Sequence, residues 1–321
     1  MVNGERRFGF RIDRERLEEM CVAAYASWDE GIRRYLPQWN LPPELEHDPI
    51  QDSPKDPEWA ARFLLVEASF ERMTKSSAII GNALRTWENP KKRWIFNPST
   101  VARMPLEDIK KIINEDFQFA LQSRGERPPE ERFRHNAHII SDRCGNDPRN
   151  LVVGKTVEEA RKGLVQFQGI GSGIANLYIL YLLDRGIAFP TDPLNALLKV
   201  DVHKGRLPIQ CEAVIPTNHE IPRDEAFEGE MERRYHEVCE RRDMSAVRLD
   251  SVLWFYGSER CTKKDYGVCV NGCPLVKMCQ GYTPENKLTG RYEVIGEDGK
   301  RKDGRRNRSQ GMFRFGAMRG E

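Results

Sequence analysis

Four cysteines fall within nineteen residues, Cys261, Cys269, Cys273 and Cys279 in the order C-x7-C-x3-C-x5-C, directly after the apolar helix-like stretch Val252 to Tyr256. The loop that carries them is short and charged (Lys263, Lys264, Asp265, Lys277), so it has too little apolar surface to close on packing alone. Thiolates gathered on a metal would close it, because the free energy of metal binding then stands in for a core. Structural zinc favours paired C-x2-4-C knuckles separated by a longer loop. Four thiolates spread along one short loop suit a cubane iron-sulfur cluster, in which each iron takes one sulfur. Disulfides are the alternative, but Cys21, Cys144, Cys211 and Cys239 are single and scattered and no signal peptide opens the chain, so a reducing cytosol is expected.

At 321 residues the chain can bury one large core or two of medium size. Its longest strongly apolar run, Leu177 to Leu183, lies between Asn176 and Asp184 and is far too short to span a bilayer, which excludes a membrane protein. The net charge of +2 conceals an asymmetry: Lys287 to Glu321 holds ten Lys or Arg against five Asp or Glu, leaving about minus three for the rest. Any anion-binding face must therefore be local. Apolar residues are sparse in that tail until Phe313 and Phe315, so residues 286–321 are expected to lack structure and to act as a solubilising tail or a non-specific nucleic-acid tether. Pro37 to Pro57 holds six prolines and reads as a linker from an N-terminal helix to the main body.

Helical spacing runs through most of what remains. Leu17, Met20, Cys21, Ala24, Tyr25, Trp28, Ile32 and Tyr35 mark one amphipathic helix after an Asp13 cap. Phe63 to Leu84, Leu106 to Phe117, Arg132 to Cys144, Val157 to Phe167, Ile174 to Asp184 and Val247 to Tyr256 repeat the pattern, while alternating strand-like runs are nearly absent. An all-α protein is expected, with Trp28, Trp59, Trp87, Trp94 and Trp254 as core or interface aromatics. His135 and His138, one helical turn apart, carry no assigned role.

Thr156 and Glu159 form a capping box at the head of the helix that runs to Phe167. Gly169-Ile170-Gly171-Ser172-Gly173 follows, and then the apolar helix "IANLYILYLL". Glycines at alternate positions allow a tight turn and leave amides bare at a helix N-terminus, where partial positive charge gathers, which makes a phosphate cradle. A dinucleotide site would need a preceding strand where this chain has a helix, so a DNA-backbone clamp is the better fit. Downstream, in "LLKVDVHKGRLP", Asp201 sits between two valines and close to His203, Lys204 and Arg206. Taken alone, Asp201 reads as a helix cap and His203 as a structural histidine. The order of hairpin, carboxylate and four-cysteine loop argues for chemistry.

Through "FQGIGSGIAN", "VDVHKGR" and "WFYGSERC" with the cysteines that follow, residues 56 to 285 resemble the helix-hairpin-helix glycine/proline-aspartate DNA glycosylases of the endonuclease III type. The resemblance implies two all-helical domains flanking a DNA-binding cleft. One is a helical barrel, residues 56–190, ending in the hairpin; the other joins 1–55 to 191–285 and carries a 4Fe-4S cluster on Cys261, Cys269, Cys273 and Cys279; residues 286–321 lie outside both. It places DNA contacts at Gly169, Gly171, Ser172, Gly173, His203, Lys204 and Arg206. Two departures stand out: each of the first two cysteine gaps is one residue longer than the family's usual C-x6-C-x2-C-x5-C, and the hairpin-to-aspartate segment holds an insertion around Phe189 to Leu197.

Breaking a base-to-sugar bond builds positive charge on the sugar, so a carboxylate near the anomeric carbon stabilises the transition state and orients water. Asp201 is the expected catalytic group. In relatives that also nick the backbone, the position matching Gly173 is a Schiff-base lysine. Glycine offers no amine, which implies a monofunctional glycosylase, with Lys199 and Lys204 as the alternative amines. The resemblance also puts Arg72 near the side chain that fills the gap left by a flipped base, and Glu67 near the acid of adenine-removing relatives. The expected partner is double-stranded DNA carrying a lesion, mismatch or modified base, met by a cytoplasmic or nucleoid-associated monomer. A non-catalytic DNA-structure binder is the competing function, and the sequence does not name the base.

Overall fold

Apolar residues at three- and four-residue intervals become helices throughout the computed structural model, which describes residues 10–27, 56–70, 76–117, 127–216, 225–257, 273–279, 294–295 and 301–302. In chain order these are β1 (Phe10–Ile12), α1 (Arg14–Ser27), α2 (Pro57–Phe70), α3 (Ser76–Glu88), α4 (Pro98–Val101), α5 (Leu106–Asp116), α6 (Pro129–Arg143) and α7 (Val157–Leu164). There follow α8 (Ser172–Asp184), α9 (Val202–Gln210), β2 (Val214–Pro216), α10 (Glu225–Arg242), α11 (Ala246–Phe255), β3 (Val294–Ile295) and β4 (Arg301–Lys302). The protein is mostly helical, and among the described residues no helix is long and apolar enough to cross a membrane. The chain divides into two compact units, Asn40–Lys199 and Met1–Trp39 with Val200–Glu321.

The first unit is built around α2 and α8, which pack on each other. Ala61, Phe63, Leu64 and Ala68 of α2 are buried, and α8 is buried on more than one face because its sequence is apolar nearly all round. Tyr178 in its middle is fully enclosed and donates its hydroxyl to the Ala61 carbonyl (3.2 Å), satisfying the one polar atom that burial would penalise. Trp59, Phe63, Trp87 and Phe96 form an aromatic cluster with ring centroids 5.3 to 6.4 Å apart, and the Arg62 guanidinium lies 4.6 Å over Trp59. The stretch Phe63 to Leu84, expected as one helix, is divided between α2 and α3, with residues 71–75 outside the described part.

The insertion after α8 turns back onto the head of α7. The Thr191 amide donates to the Lys155 carbonyl (2.7 Å), and Asp192 Oδ1 accepts from the Val157 amide (2.6 Å). These bonds hold Thr191 and Asp192 to the hairpin unit, which runs to Lys199.

In the second unit Leu17, Met20, Cys21 and Ala24 of α1 are buried, and α1 packs on α10 and α11. Asp13 caps α1, its Oδ1 accepting the Arg16 amide (3.0 Å). Residues 28–35 of the expected first helix lie outside the described part. Glu18 accepts from both Arg241 and Arg242 at the end of α10. β1 pairs antiparallel with β2, Arg11 opposite Ile215. The sequence reading passes over α10 because its buried stripe, Phe227, Met231, Tyr235, Val238 and Cys239, is narrow and lost among charges. In the tail expected to lack structure, β3 pairs with β4, two β-branched residues preceding an Asp298-Gly299 turn signal. Cys21, Cys144 and Cys239 are buried thiols that burial pushes upward in pKa, Cys239 to about 12, so they behave as small hydrophobes.

Candidate functional site

The capping box is present as expected: Thr156 N donates to Glu159 Oε2 (2.8 Å) and Glu159 N to Thr156 Oγ1 (3.2 Å). It sets the start of α7, whose far end enters the glycine turn with Phe167 and Ile170 buried in the unit's core. Asn136 of α6, itself buried, fixes that turn from below. Its Nδ2 donates to the Gln168 carbonyl (2.9 Å) and its Oδ1 accepts the Gln168 amide (2.8 Å), so one side chain replaces a whole rung of backbone pairing. Nothing in the local sequence marks Asn136 for this role.

Gly169 has φ +88°, the left-handed region that favours glycine. Gly171 does not need its backbone freedom, contrary to the sequence reading: it caps α8 with φ −88° and ψ 178°, and a Cβ added there would meet nothing within 4 Å. Among the described residues nothing requires glycine at 171. Gly171 brings no side chain to cap α8, and Gly171 and Ser172 are exposed at its head, where the positive end of the helix dipole lies. A Cβ on Gly173 would lie 3.7 Å from Cγ of Lys199, an ordinary contact; the stem of Lys199 runs beside the place where a side chain at 173 would stand.

In the other unit Asp201 is the N-cap of α9 (φ −109°, ψ −174°), and a single oxygen, Oδ1, accepts the amides of His203 and Lys204, each at 2.9 Å. The residue is half-buried. Capping and chemistry are therefore compatible, because two amides fix the carboxylate's direction through one of its oxygens. The basic neighbours are placed differently from what the sequence suggests. Lys204 is 1% exposed, with its ammonium 2.8 Å from Asp250 of α11, so it is turned into the unit and away from any phosphate. Arg206 is buried too and donates to the Gly257 carbonyl. His203 stands edge-on to Trp254, ring centroids 6.5 Å apart, and burial pushes its pKa down against the opposing pull of Asp201, which favours the neutral imidazole. Lys204 and Arg206 are thus turned inward, while His203 is half-buried.

No family model matches the sequence, and no curated protein matches it. Solved structures do. A non-covalent endonuclease III–DNA complex aligns over 84% of this chain and 97% of its own at 16% identity, TM-score 0.50. A trapped endonuclease III–DNA covalent intermediate, an estranged-adenine complex, aligns over 84% and 98% at 15% identity, TM-score 0.49. The fold resembles that of endonuclease III. At such identity the likeness to endonuclease III concerns the arrangement of helices and assigns no role to a side chain.

Of the other expected site residues, Glu67 lies on α2 with its side chain outside the described part, and Arg72, Cys261 and Cys269 lie wholly outside it. Cys273 and Cys279 bracket a run of turns held down at Leu275, which is 2% exposed. Arg16 of α1 ties that run to the turn after α9, donating to the Met278 carbonyl (3.2 Å) and to the carbonyl of Cys211. Among the described residues no group of three or more His, Cys, Asp or Glu is gathered for a metal.

Proposed function

We propose that this protein is a monofunctional DNA N-glycosylase of base excision repair, and that Asp201 carries its chemistry. The observation behind this reading is a half-buried carboxylate held at a helix head by two amides on one oxygen, in a chain whose hairpin ends in a helix N-terminus with a glycine N-cap. The amides of Gly171, Ser172 and Gly173 take a backbone phosphate, and the target nucleotide leaves the stack. As the N-glycosidic bond breaks, its electron pair goes to the base and positive charge builds on the sugar. Asp201 opposes that charge and orients a water whose oxygen bonds the anomeric carbon, while its proton leaves to solvent. Lys204 and Arg206 hold α9 and take no part in phosphate binding. Duplexes carrying a single uracil, thymine mismatch, alkylated purine, oxidised base or modified cytosine, incubated with protein and heated in alkali, test the reading. Strand breaks at one lesion are expected; DNA binding with breaks at none would make the protein a structure binder.

Cys261, Cys269, Cys273 and Cys279 would hold a 4Fe-4S cluster, and the anchoring of the Cys273–Cys279 turns by Leu275 and Arg16 fits such a role. When bound, the cluster supplies closure of a loop that has little apolar surface of its own. Purified protein should be yellow-brown with about four irons per chain. Colourless protein with one zinc would replace the cluster by a zinc site.

Replacing Gly171 by valine should leave the fold intact, since a Cβ there meets nothing within 4 Å, yet weaken binding to every duplex alike by blocking close approach of phosphate. Circular dichroism and salt-matched binding isotherms check both halves; weakening confined to lesion-bearing DNA would show that Gly171 belongs to the base pocket.

One contact supports a second reading, a bifunctional glycosylase/lyase: Lys199 brings an amine-bearing side chain alongside Gly173. Borohydride trapping separates the two. A covalent protein–DNA adduct lost in Lys199→Met would establish the lyase, and no adduct with wild type is the outcome expected of a monofunctional enzyme.

A further inference from the structure

We propose that Gly257 is a positioning residue for Asp201, its missing side chain setting where the carboxylate stands. The inference rests on the reading of Asp201 given above. A Cβ at Gly257 would lie 2.8 Å from Cβ of His203, 2.9 Å from its carbonyl oxygen and 3.0 Å from its carbonyl carbon. Two of the three are backbone atoms, so no rotamer change relieves the clash, and either α9 or the end of α11 must move. Backbone conformation does not account for the glycine, because Gly257 is not among the glycines of positive φ. Close approach does.

The atoms approached belong to a residue of the cap. The His203 amide is one of the two that Asp201 Oδ1 accepts, and Lys204, whose amide is the other, follows directly. Displacing His203 therefore displaces the carboxylate. The first turn of α9 also has little room to yield. Lys204 Nζ is held by Asp250 (2.8 Å), the Lys204 carbonyl accepts the Tyr235 hydroxyl (2.8 Å), Arg206 donates to the Gly257 carbonyl itself, and Trp254 stands against the His203 ring. α11 and its C-terminal end thus hold the turn by charge, by hydrogen bond and by contact, and Gly257 is where the two backbones meet.

Gly257→Ala tests this, with Gly229→Ala as control, since a Cβ there meets nothing within 4 Å. Amide hydrogen exchange of His203 and Lys204 needs no substrate and should quicken at least about tenfold in Gly257→Ala as the cap bonds lengthen, with Gly229→Ala unchanged. Single-turnover excision on the five-lesion panel should slow at least about tenfold while affinity for undamaged duplex holds, because small misplacements of a reacting group act on rate and not on binding. In an Asp201→Asn background, Gly257→Ala should cost nothing further, since both changes act through one carboxylate. Unchanged cap exchange, or excision losses that simply add, would overturn the proposal. If Gly257→Ala does not fold, Arg206→Gln removes the bond to the Gly257 carbonyl without adding an atom and must give the same non-additive pattern. Full excision by Asp201→Asn would instead overturn the function assigned to Asp201, an outcome distinct from normal excision by Gly257→Ala alone.

Discussion

Asp201→Asn will slow base excision at least about a hundredfold while leaving fold and DNA affinity in place. Asparagine caps a helix about as well as aspartate, and its amide oxygen still accepts the His203 and Lys204 amides that Oδ1 accepts now. What disappears is the negative charge facing the sugar cation. Affinity holds or rises slightly, because one charge that repels phosphate has gone. Asp201→Ala provides the contrast: it deletes charge and cap together, so excision falls with about 1 kcal/mol of stability. Single-turnover excision assays with thermal unfolding distinguish the two variants. An Asp201→Asn protein that excised at the wild-type rate would leave Asp201 as a cap and nothing more.

Asp250→Leu will destabilise the second unit by about 3–5 kcal/mol, because it removes the carboxylate that stands 2.8 Å from the Lys204 ammonium, which is 1% exposed. Lys204→Met combined with Asp250→Leu should recover most of that loss, since replacing both partners removes the desolvation of both charges. Urea unfolding of the two variants gives the comparison directly. The double variant also tests the reassignment of Lys204. A lysine that neutralises a phosphate contributes about one unit to the slope of log affinity against log salt. With the ammonium bound to Asp250 the slope should not change, and a shallower slope would return Lys204 to the DNA interface.

Local features are readable in this sequence because their partners lie within a few residues. Thr156 and Glu159 are three apart and make the box the spacing predicts. The apolar run after Gly173 becomes α8, since a segment apolar all round is stable only when buried on several faces. Asp201 caps α9 through amides two and three residues on, and that short range is why its role as a cap could be read from sequence. By contrast α10 is hidden, because five buried positions carry it and its remaining surface is charge.

By itself the sequence determined the helical class, the glycine turn with its capped entry, the head of α9 and the cysteines that frame the last loop. Tertiary structure alone decided which charges are turned inward. Lys204 and Arg206 stand in sequence like a phosphate-binding pair beside an acid, yet Asp250 and the Gly257 carbonyl, both from α11 and its end, take them inward. The same is true of glycine. Gly169 needs a left-handed backbone, Gly171 has open space and Gly257 has a neighbouring backbone against it. A letter in the sequence cannot separate these cases, because hydrogen bonds within a turn depend on spacing along the chain, whereas burial and close approach depend on residues that only folding brings near.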